Sequence, residues 1–344
     1  MFVSLEKFAA EAETILPGCT VYLTGSAAMK DYREGWSDID LLILAPDDLT
    51  ADQAYALVDL RQIMQEREPG NLYYSRIEGG AVSVGGYLTG AVCYAVYWGT
   101  TGQRVKGGYT ADVFAQAAMD RWILLHGPDV RDELERPTPE MLYDGVKKHW
   151  EAVQDYGVST KNPLYRCGWM LDIARCLYTL KTGRVASKTA AGETALRLGW
   201  CPDEDALRDA LAVRYDPIRT RREISDDAIR RFNGVLAEAL SHPVVTEPCF
   251  CGHDCGRCLV RCGDSRASDF YRDEMGIALN PEDLHCGGGR SESVMKLCRD
   301  CPMRKCCRER GLDFCIDCES PCSTYLNYVK KYVNKAGQCD ETAD

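Results

Sequence analysis

What the chain lacks narrows its class first. Its 344 residues hold no low-complexity tract and no internal repeat, which excludes a disordered or repeat-built protein. No run of about 18 apolar residues occurs, so no membrane span is expected. The opening segment MFVSLEKFAAEAETIL has neither the basic start nor the continuous apolar stretch of a secretion signal, and the expected location is the cytoplasm. Excess positive charge is missing too. The formal net charge is -11, and residues 249–344, with 14 basic and 16 acidic side chains, account for little of it. An acidic surface repels phosphate backbones and attracts cations, which disfavours nucleic acid as a partner and favours a cationic acceptor.

Cysteine is sparse over the first 248 residues, with five of the chain's 19, and the other fourteen crowd between Cys249 and Cys339. In a reducing compartment such a cluster reads as metal ligation rather than a disulfide framework. Cys93 and Cys176 lie in apolar stretches and are expected as small core residues.

The chain is long enough for two or three cores, and three domains are expected: 1–137, 138–243 and 249–340. In the first, residues 4–16 read as a helix, TVYLTG (20–25) as a strand, and DIDLLILA (38–45) as a second strand after a polar loop. Residues 50–67 read as a helix with Ala54, Leu57, Leu60 and Ile63 on one face. NLYYSRIE and AVCYAVYW read as strands separated by a glycine-rich stretch from Gly79 to Gly90, and 111–124 as a helix. From Pro139 to about Leu240 the strand signal vanishes and helical patterns follow one another, as in a helical bundle. The fold expected is α+β: a mixed sheet with helices, then an all-α bundle, then a small cysteine-rich metal-bound module.

The chemistry concentrates at Gly25-Ser26 and Asp38-Ile39-Asp40. In Asp-x-Asp on a strand the two carboxylates share a face, and their repulsion calls for a cation between them. Magnesium suits them, since it takes hard oxygen ligands and completes its shell with water and substrate phosphates. Gly25 lets backbone approach a phosphate, and Ser26 offers a hydroxyl and an amide to its oxygens. A solvated strand end with two acids is the alternative reading of Asp38 and Asp40. The acids of AVSVGGYLTGAVCYAVYWG number none, so Glu78, before Gly79-Gly80, is the one nearby candidate for a third carboxylate, against the alternative of a plain turn residue.

Gly-Ser followed after a short interval by Asp-x-Asp on the next strand resembles the motif of the polymerase-β-like nucleotidyltransferase superfamily. The segment NPLYRCGWMLDIARCLYTLKTGRVASKTAAGETAL (162–196) is similar to the carboxy-terminal domain of the aminoglycoside adenylyltransferases that modify streptomycin and spectinomycin. This resemblance spans roughly residues 15–240. It implies Mg2+-dependent transfer of AMP from ATP to a hydroxyl of a small acceptor such as an aminoglycoside. It further implies Gly25, Ser26 and Ser37 as nucleotide contacts, Arg175 and Lys188 on the ATP phosphates around Thr182-Gly183, Tyr215 as a further contact, and Glu78 as the base. The residues that family members use to grip their acceptor have no counterpart by position, and Trp98 and Trp169 are the candidates for a stacking wall, or else core residues.

The cysteine region opens with Cys251-Gly-His-Asp-Cys255-Gly-Arg-Cys258 and Cys262, and continues with Cys298-x-x-Cys301, Cys306-Cys307, Cys315-x-x-Cys318 and Cys322. It resembles small domains of unknown function that open with Cys-Gly-x-Asp-Cys-x-x-Cys. Paired two-residue knuckles point to structural zinc ahead of an iron–sulfur cluster. With so little apolar sequence the module is expected to depend on its metal for folding. Its role stays open between a structural appendage, a partner- or substrate-binding unit and a redox sensor. The competing overall reading is a regulatory or binding protein whose nucleotidyltransferase domain modifies or binds a protein or RNA presented by this module.

Overall fold

A computed structural model describes residues 1–99 and 102–332. The expected end of the cysteine module, with Cys339, lies outside the described residues. The chain divides into two compact units: residues 1–138 with Ala212–Arg222, and Pro139–Leu211 with everything from Glu223 on.

The first unit is built on a six-stranded sheet in the order β5-β4-β3-β2-β1-β6. The strands are β1 (Thr20–Leu23), β2 (Ile39–Ala45), β3 (Ile77–Ser83), β4 (Ala95–Gly99), β5 (Gly102–Lys106) and β6 (Ile123–His126). Only β2 and β3 run parallel; the other pairs are antiparallel. The helices of this unit are α1 (Phe2–Ile15), α2 (Gly25–Ala28), α3 (Ala51–Arg67), α4 (Val84–Thr89) and α5 (Val113–Ala117). Helix α3 starts where Thr50 accepts from the Gln53 amide in a capping box, and it supplies the crossover between the parallel strands.

Alternation along β2 sorts its side chains. Ile39, Leu41 and Ile43 enter the core shared with Phe8 of α1 and Leu57 of α3, whereas Leu42 and Leu44 enter a second core with Tyr22, Val82 and Tyr87. By the same period of two, Asp40 lies on the Leu42 face. In β3, Ile77 and Ala81 belong to the first core and Val82 to the second, which puts Glu78 on the face of Asp40.

Four local expectations are corrected. Residues 111–124 are not one helix: α5 stops at Ala117, a 3-10 turn follows at Met119–Arg121, and the segment returns to the sheet as β6, because Ile123 and Leu124 pair with β1. NLYYSRIE is a 3-10 turn leading into β3, and the glycines after it belong to that strand. At Gly79, φ is +113° and a Cβ would lie 2.0 Å from the Leu41 carbonyl oxygen, so the close parallel pairing itself requires glycine. Ile63 is 37% exposed and Met64 takes the inward position in α3. Cys93 is exposed, whereas Cys176 is buried as expected.

The second unit contains α6 (Pro139–Ala152), continued by a π-helical turn at Val153–Gly157, then α7 (Pro163–Thr182), α8 (Lys188–Arg197), α9 (Glu204–Tyr215) and α10 (Asp226–Ala239). Residues of α9 from Ala212 onward fold with the first unit. Helix α7 begins with Asn162 accepting from the Leu164 amide and Pro163 at its first position, and it ends on Gly183 with φ +65°.

The cysteine-rich segment folds within this unit through α11 (Ala267–Met275), α12 (Lys296–Arg299), α13 (Pro302–Arg310) and α14 (Ser323–Tyr332). Arg184 pairs with Asp317 at 3.0 Å, and Arg197 Nη2 donates to the Ile316 carbonyl at 2.7 Å. The segment has an apolar cluster of its own, with Leu259, Val260, Leu279 and Met295. Asp254 is buried, and its carboxylate accepts from the amides of Thr246, Glu247 and Gly256. Apolar burial and one carboxylate hub therefore contribute to the order of this module.

Candidate active site

Three pieces of chain meet at the amino-terminal ends of β2 and β3. Asp40 and Glu78 are register partners on these parallel strands, and Asp38 precedes β2 by one residue. The turn from β1 into α2 lies against Asp40. Thr24 donates its amide to the Asp40 carbonyl at 2.8 Å, and Ser26 donates its backbone N–H to the Asp40 carboxylate. Gly25 has φ +57°, and a Cβ there would lie 1.9 Å from Asp40 Oδ2. Any side chain at position 25 would thus displace the carboxylate.

Asp40 is half-buried, and its carboxyl is pushed up to about 6, first by burial and then by the charges of Asp112, Asp38 and Glu78, with the Ser26 amide pulling the other way. Asp112 is a member of this group that sequence reasoning missed. It caps α5, its Oδ1 accepting from the Ala115 amide at 2.8 Å, and the Asp-before-helix pattern was the only signal available.

Four carboxylates that raise the proton affinity of one of their number make a site that favours a hard cation. Among the described residues, however, no three His, Cys, Asp or Glu side chains are gathered so as to hold a metal ion alone. The gathered carboxylates fit magnesium, which is ordinarily bound by one or two carboxylates together with substrate phosphates and water rather than by an all-protein cage. Asp38 and Asp40 are the residues that would hold it.

Ser37, expected as a nucleotide contact, is buried, and its hydroxyl accepts from the Arg33 amide at 3.0 Å and from Arg214 Nη1 at 3.3 Å. Its hydrogen bonding serves the loop itself. Tyr215 is 49% exposed and carries the Arg33 guanidinium over its ring at 5.6 Å. Trp98 does not form a stacking wall: it is buried, donates its indole N–H to the Val58 carbonyl, and meets Phe8 edge-on. Trp169 is half-buried, packed on the backbone of Gly157.

In the second unit, Arg175 and Lys188 converge on one buried carboxylate. Arg175 Nη2 lies 2.8 Å from Asp172 Oδ1 and Lys188 Nζ 2.9 Å from Oδ2. Burial works against a charged Asp172, but Lys188, Arg175 and His149 together outweigh it and hold the carboxyl at about 2.

The zinc expectation finds no support in the cysteine module. Cys255, Cys258, Cys307, Cys315 and Cys318 are buried, Cys251, Cys298, Cys301 and Cys306 half-buried, and Cys262 and Cys322 exposed. The closest pair is Cys249–Cys251, with Cys249 outside the expected set, at 3.1 Å between sulfurs. Two thiolates on one tetrahedral zinc would keep about 3.8 Å. No cysteine of the described residues is in a disulfide.

Family models match three successive stretches: a nucleotidyltransferase domain at residues 5–89, an aminoglycoside adenylyltransferase C-terminal domain at 140–239, and a protein of unknown function (DUF3795) at 248–327. No curated protein matches the sequence. A solved spectinomycin adenyltransferase from Enterococcus faecialis, determined with ATP and spectinomycin, is 14% identical with a TM-score of 0.47, over 70% of this chain and 100% of that one. The first model and the mixed sheet make the amino-terminal part of the chain a nucleotidyltransferase domain. The second model adds a helical domain of the kind that follows the nucleotidyltransferase domain in aminoglycoside adenylyltransferases, and the domain of unknown function comes after it.

Among the described residues no helix is long and apolar enough to cross a membrane.

Proposed function

We propose that this enzyme transfers AMP from ATP, with Mg2+, to a hydroxyl of a small cationic acceptor of the aminoglycoside kind. The observation that carries the reading is the seating of the Asp40 carboxylate on the Gly25-Ser26 turn, beside Asp38 and in register with Glu78. Asp38 and Asp40 hold the metal, Gly25 lets the backbone approach the phosphates, and the Ser26 hydroxyl meets a phosphate oxygen. Bound magnesium supplies charge neutralisation at the reacting phosphate and the departing pyrophosphate. Glu78 accepts the proton of the acceptor hydroxyl as its oxygen attacks the α-phosphorus. Within the second unit Asp172 gathers Arg175 and Lys188 into one cationic group. The acidic balance of the chain and the aminoglycoside adenylyltransferase model at 140–239 support a cationic acceptor.

Incubation with ATP, Mg2+ and a panel of aminoglycosides tests the reading. Pyrophosphate release that depends on one acceptor and disappears in Asp40→Asn supports it. ATP turnover indifferent to every acceptor and to Asp40 would sink it.

A further inference from the structure

The loop from Ser26 to Asp38 is held by a residue almost two hundred positions away in sequence. Arg214, in the last turn of α9 and within the first unit, heads the fully buried side chains in size. Its Nη2 donates to the Asp31 carbonyl at 2.7 Å and to Asp31 Oδ2 at 3.0 Å, its Nη1 donates to Ser37 Oγ at 3.3 Å, and the guanidinium lies 5.2 Å from the centre of the Trp36 ring. Asp31 in turn donates its amide to the Ser26 carbonyl at 2.8 Å, and Ser37 directly precedes Asp38. One planar side chain therefore ties the phosphate-facing turn to the residue before the first aspartate.

Core stability does not explain this arrangement. Burying an ion pair costs desolvation that its attraction barely repays, and an apolar pair of the same volume usually serves a core as well or better. The loop is also strained: Lys30 has φ +60°, the only positive value at a non-glycine among the described residues. Such a conformation persists only where its surroundings over-determine it.

We propose that Arg214 is a positioning residue for the metal–nucleotide site, fixing the separation of Ser26 from Asp38 and Asp40. The proposal rests on the adenylyl-transfer reading for what the site binds. A guanidinium suits the task because its rigid fork reaches carbonyl, carboxylate and hydroxyl at once, which a lysine ammonium cannot do.

The test removes both buried charges of the pair and leaves Arg33, 3.5 Å from Asp31, with its side chain 34% exposed. Asp31→Leu with Arg214→Met is expected to melt at or above the wild-type temperature, while its MgATP dissociation constant by calorimetry rises at least tenfold. Hydrogen exchange at the Asp31 and Ser37 amides is expected to speed up at least tenfold, with the β2 amides unchanged. Arg214→Lys, which keeps the charge, should fall between the two in both measurements and covers the case in which the double variant does not fold. Wild-type affinity and wild-type loop exchange in either variant would overturn the proposal. Should the wild-type protein itself fail to bind MgATP, the adenylyl-transfer reading falls, and the exchange rates still decide whether Arg214 holds the loop.

Discussion

Replacing Asp40 with asparagine should stabilise the metal-free protein while abolishing its response to magnesium. The folded protein holds a proton on Asp40 more tightly than an unfolded chain does, since burial and the charges of Asp112, Asp38 and Glu78 lift the carboxyl from 3.8 to about 6. Stability therefore falls as pH rises from about 4 to about 6 and stays reduced above that range. At about 1.4 kcal/mol per pH unit, a shift of some two units amounts to about 3 kcal/mol at neutral pH. Asparagine escapes that cost but loses part of the hydrogen bond from the Ser26 amide, which leaves a net gain of about 1–2 kcal/mol. Hydrogen exchange of the β2 amides in the absence of magnesium, at pH 5 and pH 8, measures it in the unit concerned. The variant should be more protected than wild type at pH 8, and the gap should shrink at pH 5. Millimolar magnesium with ATP should then protect wild type and leave the variant unchanged. A variant less stable than wild type at pH 8, or an equal gap at both pH values, would refute the electrostatic reasoning.

Other outcomes follow from the same geometry. Gly25→Ala should cut turnover at least a hundredfold with near-native circular dichroism, because its Cβ would fall 1.9 Å from Asp40 Oδ2 at a φ that already disfavours alanine. Glu78→Gln should slow single-turnover AMP transfer by about a hundredfold at unchanged MgATP affinity, as loss of a general base does; an equal loss of binding would make Glu78 a metal ligand instead. Lys188→Ala should weaken ATP binding by about 1.5–3 kcal/mol, the range of a charged hydrogen bond. It should also lower the melting temperature, since buried Asp172 keeps Arg175 but loses its 2.9 Å partner. The Asp172 contribution is present above about pH 4 and is lost as pH falls toward about 2, a loss that acid titration of Lys188→Ala should show blunted.

The candidate site was legible because its signals are local. Gly25-Ser26 and Asp38-x-Asp40 lie on consecutive elements, and a period of two places the carboxylates without any knowledge of packing. Long periodic helices such as α3 and α7 were equally plain. Legibility failed where tertiary packing overrode local pattern. Gly79 read as a breaker, yet it is the residue that lets β3 approach the Leu41 carbonyl. Ile123 and Leu124 read as the end of a helix but gain more by pairing along β1. Asp112 could be read only as a helix cap, and nothing in the sequence ties Arg214 to the Asp31–Ser37 loop that it holds. The knuckle spacing of the cysteines suggested shared ions, whereas spacing along the chain does not fix where thiols point in a segment with so many turns.

The central claim is that Asp38 and Asp40, set on the Gly25-Ser26 turn, catalyse adenylyl transfer to a small cationic acceptor. It is tested most directly by incubating the protein with ATP labelled at the α-phosphate, Mg2+ and spectinomycin or streptomycin, beside Asp40→Asn. The expected result is label on one acceptor with equimolar pyrophosphate, absent from the variant and from metal-free reactions. Label on no member of a broad aminoglycoside panel, or equal transfer by wild type and Asp40→Asn, would contradict it.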